Sequence, residues 1–196
     1  METVNLFGAQ RGRAAQAAAW AMEKERFSTQ EMANALAVST PTAITLLRRL
    51  EGHGLVQTCG EFSSTGGRKP RAWSACPGAR YVVGADITLR HVSLVAVDLS
   101  GQVTRTQTRT LAFTRTPAYF RALAAFISEL CAELPRQSVL GVGLSIPGII
   151  GSGQDLVLRS HALSIQGLRA DEFEQYLGLP CRMINDANAG CLAEAW

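Results

Sequence analysis

The spacing of apolar residues changes near residue 77 and separates two kinds of structure. Before that point the period is helical. An Ala-rich stretch over 9–25, with Trp20 and Met22, predicts a first helix. Ser28 stands three residues before Glu31, the spacing of a capping box, and opens a second helix over 29–37 that buries Met32, Ala33 and Leu36. Val38 and Ser39 form a short turn. Ser39 caps a third helix with Pro41 in its first turn, where a missing N–H is harmless. Ala43, Leu46, Leu47 and Leu50 recur at i, i+3, i+4 and i+7 and make the buried stripe of that helix. Pro41, Thr45, Arg48 and Arg49 lie opposite, with Thr42 at the edge. An extended segment from Leu55, a flexible tip over 63–67 and a return strand over 72–74 follow.

After Pro77-Gly78 strands alternate with helices. Residues 81–86, 91–98 and 103–110 are strand-like, and the third alternates Thr with Arg and Gln as an exposed antiparallel strand would. Pro117 opens a helix with Phe120, Leu123, Ala124, Ile127, Cys131 and Leu134 on one stripe. A buried strand over 139–146 runs into Pro147-Gly148. A loop, a helix over 170–176, a strand over 181–184 and a helix from Asn185 complete the order β-β-β-α-β-α-β-α. The fold class is α/β, in two domains over 1–76 and 77–196.

Charge changes the picture only locally. The formal net charge is +3, yet residues 40–80 carry six basic side chains (Arg48, Arg49, Arg68, Lys69, Arg71, Arg80) against Glu51 and Glu61. A window of that kind suits a polyanionic partner. A composition of 47% hydrophobic and 18% charged residues excludes general disorder. Glu2 and the lack of an apolar run after a basic start argue against a secretory signal. The longest uncharged run, 137–154, is broken by five glycines and Pro147, so no membrane span is expected. Five cysteines without C-x-x-C spacing fit reduced thiols and a cytoplasmic location.

Three helices, a short turn before the third, and a hairpin with a basic tip describe a winged helix-turn-helix that binds double-stranded DNA. A recognition helix needs an apolar back and a short polar front near its N-terminus. Ser39, Thr40, Thr42 and Thr45 supply hydroxyls or methyls for base edges, and Arg48 reaches guanine or phosphate. Arg49, Lys69 and Arg71 are phosphate contacts. Arg68, on the Gly66-Gly67 tip, either enters a minor groove or sits on a plain surface turn. A helical bundle with a solvated basic face that contacts a protein is the alternative to DNA binding.

Gly84-Ala85-Asp86, Val97-Asp98-Leu99-Ser100-Gly101, the run from Gly141 to Pro147-Gly148, and Asn185-Asp186-Ala187-Asn188-Ala189-Gly190 occur in that order. Together with the helix-turn-helix and the Gly66-Gly67-Arg68 tip, they resemble the ROK family of repressors and sugar kinases, especially its xylose- and N-acetylglucosamine-type repressors. The resemblance implies a ribonuclease-H-like lobe of the actin/hexokinase type after the DNA-binding domain. It implies a carbohydrate-gene repressor, with Pro147, Gly148, Asn185 and Asp186 as effector-binding residues for a sugar or sugar phosphate. Asn185 or Asp186 is equally placed to cap the last helix.

The kinases of the family carry glycines after the first strand so that amides can approach ATP phosphates. Here the run is Asp86-Ile87-Thr88-Leu89-Arg90, so phosphates would be crowded out and no enzyme activity is expected. Asp86 is left a structural role such as closing a turn. A sugar kinase with an added N-terminal domain is the alternative. The resemblance places a second lobe, further sugar contacts and a Cys/His zinc cluster beyond Trp196; no metal site or cofactor is expected within the sequence. With one lobe, sugar binding is expected to be no tighter than about millimolar and any homodimer weak.

Overall fold

The computed structural model describes residues 12–63, 69–135 and 138–195. The helix start expected at 9–11, most of the flexible tip and Arg68 lie outside the described residues. The chain divides into two compact units, Met1–Ala79 and Arg80–Trp196. The division falls after Ala79 instead of Cys76. The Cys76 N–H bonds back to the Leu55 carbonyl, and the turn Pro77–Ala79 closes on the Cys76 carbonyl.

In the first unit come α1 (Arg13–Met22), β1 (Phe27–Ser28), α2 (Thr29–Ala35), α3 (Thr40–Gly52), β2 (Val56–Glu61) and β3 (Arg71–Ala75). The strands form one antiparallel sheet in the order β1-β3-β2. Its core joins Ala17 and Ala21 of α1, Phe27, Met32, Leu46, Leu47 and Leu50 to Val56 and Trp73 of the hairpin. Trp20 meets Phe27 edge-on at 5.0 Å.

Both caps foreseen in the sequence form. Ser28 Oγ accepts from the Glu31 N–H at 3.2 Å while Glu31 Oε2 accepts from the Ser28 N–H at 2.6 Å. The backbone N–H of Ser28 holds the Glu31 carboxyl below its ordinary pKa. Ser39 Oγ accepts from the Thr42 N–H at 3.3 Å.

The second helix is shorter than the expected 29–37. It stops at Ala35 because Ala37 takes a left-handed φ of 50° and the Val38 N–H returns to the Ala33 carbonyl. The connection to α3 therefore spans four residues, 36–39, rather than two.

The second unit holds β4 (Tyr81–Ile87), β5 (His91–Asp98), β6 (Val103–Thr110), α4 (Pro117–Ala132), β7 (Val139–Ile146), β8 (Ile149–Ile150), β9 (Leu156–Ser160), β10 (Ile165–Arg169), α5 (Asp171–Leu177), β11 (Cys181–Asn185) and α6 (Asp186–Ala195). Five strands form a sheet in the order β11-β7-β4-β5-β6. The β4-β5-β6 meander is antiparallel, and β7 runs parallel to both β4 and β11.

One face of the sheet, with Val83, Ala85, Ile87, Val92, Leu94, Leu144 and Ile146, packs against α4 and α5 through Phe120, Leu123, Ile127 and Phe173. On the edge strand β6, Arg105 and Arg109 pair with Glu133 and Glu129 at 3.1 and 2.6 Å. These charges also blunt an edge that could otherwise pair with another chain.

The loop expected between Gly148 and the helix at 170 contains a second antiparallel sheet, β10-β9-β8. Its strands are short, and the apolar residues facing the core, Val157, Leu163 and Leu168, are too sparse to give a period in the sequence. Arg115 fastens this sheet down. Its guanidinium pairs with Glu172 at 2.6 Å and donates to the carbonyls of Gln166 and Gly167.

Asp86 does not close a turn. Its Oδ1 accepts from Ser145 Oγ at 2.7 Å across the parallel β4–β7 pair. Thr88 closes the β4–β5 turn instead, accepting from the His91 N–H and donating to the His91 carbonyl.

The left-handed Ala37 gives a stability prediction. A non-glycine residue in that region costs about 1–2 kcal/mol, which glycine avoids at some entropic cost to the unfolded chain. Ala37→Gly should raise the stability of the first unit by roughly 1 kcal/mol in denaturant unfolding, and a loss of stability would contradict the geometry of this turn.

Candidate functional site

The candidate DNA-binding residues fall on α3 and the β2–β3 hairpin. Pro41, Ile44, Thr45 and Arg48 form one exposed stripe of α3, directly opposite buried Ala43, Leu46, Leu47 and Leu50. Arg49 and Thr40 flank the stripe and are also exposed. Lys69 is exposed two residues before β3, on the tip side of the hairpin, and the Arg71 guanidinium lies 5.9 Å from the Trp73 ring centre. None of the ion pairs among the described residues involves Arg48, Arg49, Lys69 or Arg71.

The hydroxyls on this helix are engaged within the protein. Ser39 Oγ caps α3 and lies 2.8 Å from Thr42 Oγ1. Thr40 Oγ1 donates to Gln30 Oε1 at 3.2 Å, and Gln30 Nε2 donates to Asn34 Oδ1 at 2.9 Å, so a polar chain ties the start of α3 to α2. Thr45 Oγ1 donates to the Pro41 carbonyl at 3.0 Å.

Sequence reasoning passed over two members of this surface, Ile44 and Gln30. Ile44, 39% exposed, is apolar on a polar stripe and out of phase with the buried one, a signal that was there to be used. Gln30 had no such signal, because its partner Thr40 is ten positions away across a turn.

In the second unit the Pro147-Gly148 loop joins β7 to β8. Gly148 has φ 147°, and a Cβ there would stand 2.6 Å from the Arg159 carbonyl oxygen and 3.0 Å from Ser160 Cα. Only glycine fits this close approach. Asn185 Nδ2 donates to the Gly148 carbonyl at 2.7 Å, while its Oδ1 accepts from the Ala187 and Asn188 amides at 3.0 and 3.2 Å. Asn185 therefore ties the loop to the start of α6. Asp186 is exposed in the first turn of α6, where the helix dipole favours a carboxylate.

Beside Gly148 an open cleft of about 260 Å³ is lined by Arg159, Ser160, His161, Ser164, Ile165 and Gln166. Those residues belong to the β9–β10 hairpin, which the sequence did not reveal. Pro147, Gly148 and Asn185 come together, but none of them, nor Asp186, lines that cleft.

At the β4–β5 turn the amides of Arg90 and His91 point to Thr88 Oγ1 at 3.4 and 3.1 Å, and Ile87 is fully buried. The residues there do not fit a nucleotide phosphate, which needs converging free amides. Among the described residues there is no group of three or more His, Cys, Asp or Glu placed to hold a metal ion. None of their helices is long and apolar enough to cross a membrane.

Residues 82–196 match the model of the ROK family. The chain belongs to that family. It is 24% identical over 179 residues to a putative xylose repressor of Caldicellulosiruptor sp. (strain Rt8B.4), covering 89% of this chain and 45% of that protein. The xylose repressor of Bacillus subtilis (strain 168) is 24% identical over 177 residues, covering 88% of this chain and 46% of that protein. The chain thus spans under half the length of these curated relatives.

A crystal structure of a ROK family transcriptional regulator, homolog of E. coli MLC protein, superposes with a TM-score of 0.67 at 18% identity, covering 86% of this chain and 43% of that one. A ROK family glucokinase from Streptomyces griseus, in complex with glucose and AMPPNP, has a TM-score of 0.50 at 24% identity over 57% of this chain and 35% of its own. The fold is accordingly a ROK-type α/β fold.

The Gly148 contact makes a sharp prediction. Gly148→Ala should destabilise the second unit by on the order of 3 kcal/mol, from backbone strain plus overlap with Arg159 and Ser160. Asn185→Asp keeps the oxygen that caps α6 but removes the donor to Gly148 and should cost about 1 kcal/mol. Denaturant unfolding of the three proteins checks the order, and an unchanged Gly148→Ala protein would contradict the geometry of the loop.

Proposed function

We propose that this chain acts in a sequence-specific, DNA-binding transcriptional repressor of carbohydrate genes, non-enzymatic and responsive to a sugar-type effector. The first unit is a winged helix-turn-helix over 1–76, with α3 as recognition helix and the β2–β3 hairpin as wing. The domain over 77–196 is the effector lobe. One observation carries the reading: α3 turns an exposed stripe with Arg48 away from its buried stripe, next to a hairpin with Lys69 and Arg71, inside the one basic window of the chain.

Repressors cover most of this chain in both units, and that shared organisation supports the same role here. Arg48 reads a base edge in the major groove; Arg49, Lys69 and Arg71 hold phosphates. Double-stranded DNA is the partner, a cytoplasmic site of action follows, and a homodimer would read two half-sites. A carbohydrate hydroxyl set would meet Pro147, Gly148, Asn185 and Asp186, with the polar cleft beside Gly148 as a neighbouring surface. Phosphoryl transfer from ATP is not part of the proposal, because the amides at the β4–β5 turn are already engaged by Thr88.

Binding of a random 30-base-pair duplex, followed by fluorescence anisotropy from low to moderate salt, tests the reading. Counterion release predicts a log–log slope of several units, and Lys69→Ala should reduce it by about one. Arg48→Ala should cost about 1–3 kcal/mol on a selected site and less on random DNA. A slope near zero would overturn the DNA reading. Salt-insensitive DNA binding together with ATP-dependent phosphorylation of xylose or glucose would favour the kinase.

A further inference from the structure

The three threonine hydroxyls at the start of α3 raise a question of readout chemistry. A hydroxyl has one proton to donate. Thr40 gives its proton to Gln30 and Thr45 gives its proton to the Pro41 carbonyl. Thr42 shares one with Ser39, the cap of the helix. The Thr40 and Thr45 bonds would be lost if those hydroxyls turned to donate to a base. On the exposed stripe this leaves the Ile44 side chain, the Pro41 ring and the Thr45 Cγ2 methyl, followed one turn later by Arg48. Such a surface has few free donors before Arg48; its hydroxyl oxygens still accept, but the only mark on a base pair in the major groove that an isoleucine can meet is the C5-methyl of thymine.

We infer that α3 recognises thymine through methyl contacts made by Ile44 and Thr45, with the Thr45 hydroxyl acting only to fix its own side chain and Gln30 acting to position Thr40. This rests on the DNA-binding reading above and deepens it by naming the feature that is read. The back-bonding of Thr45 to position i−4 is a local preference of Thr in helices and fixes its rotamer. Burying one methyl contributes about 0.8 kcal/mol, which corresponds to roughly a fourfold change in affinity. An exposed isoleucine one turn before Arg48 fits a groove lined by phosphates better than an apolar protein surface, since that charge finds a partner there.

The test uses the full 196-residue chain and the duplex it enriches most from a library of random cores. Each thymine of that duplex is replaced in turn by deoxyuridine, which lacks only the methyl. At one or more positions of a half-site the wild-type protein should bind about fourfold more weakly, and Ile44→Ala or Thr45→Ser should be insensitive to the same replacement. Thr45→Val, which keeps the methyl and loses the hydroxyl, should bind like wild type, while Thr45→Ser should bind about as weakly as wild type on the deoxyuridine duplex. Circular dichroism confirms that the variants at these exposed positions are folded. Selective, salt-dependent binding with no deoxyuridine-sensitive position, or with Thr45→Ser intact and Thr45→Val impaired, would overturn methyl recognition and leave the DNA reading standing. Failure to enrich any sequence, together with a salt slope near zero, would overturn the DNA reading and this inference with it.

Discussion

Helix N-termini held by short side chains govern both parts of this protein. A helix start leaves amides without partners, and an oxygen placed at the N-cap satisfies them while fixing where the helix begins. In the first unit Ser28 with Glu31 starts α2, and Ser39 starts α3. Gln30 then links the two starts through Thr40. Because α2 and α3 are fixed at their beginnings, the buried face of α3 and its exposed stripe keep one orientation relative to the core of Phe27, Met32, Leu47 and Trp73.

The second unit uses the same device for a different purpose. Asn185 caps α6 with its oxygen and holds the Gly148 carbonyl with its nitrogen, so the P-G loop and the N-D-A-N helix are one construction. Gly148 allows the loop to lie directly on Ser160, and the polar cleft forms beside it. Asp86, which precedes the turn that glycines would occupy in a phosphate-binding loop, is held by Ser145, and Thr88 takes the amides of that turn. Beside the tethered loop lies a polar cleft, and at the β4–β5 turn the Arg90 and His91 amides are already engaged by Thr88.

Much of this was legible in the sequence because it is local. The capping box, the buried stripe of α3, the exposed alternation of β6 and the missing glycines after Asp86 each depend on residues a few positions apart. What stayed hidden depends on distance or on strain. The left-handed turn at Ala37 carries no glycine to announce it, so the helical pattern in the sequence runs two residues past the end of α2. The β8-β9-β10 sheet is held by Arg115 from another part of the chain. The bond from Asn185 to Gly148, 37 positions away, ties two elements together and has no local signature in the sequence. Ile44 is local too: an apolar residue out of phase with the buried stripe of its helix.

In the proposed complex α3 lies in the major groove with Arg48 on a base edge. Methylation interference measures this most directly, because dimethyl sulfate marks guanine N7 in the major groove and adenine N3 in the minor groove. The selected duplex, sparsely methylated and then partitioned by wild-type protein, should be depleted in N7-methylguanine at a few adjacent positions of a half-site in the bound fraction. The same depletion should vanish with Arg48→Ala. Equal methylation of bound and free duplex at every guanine, or interference confined to adenine N3, would contradict major-groove entry by α3.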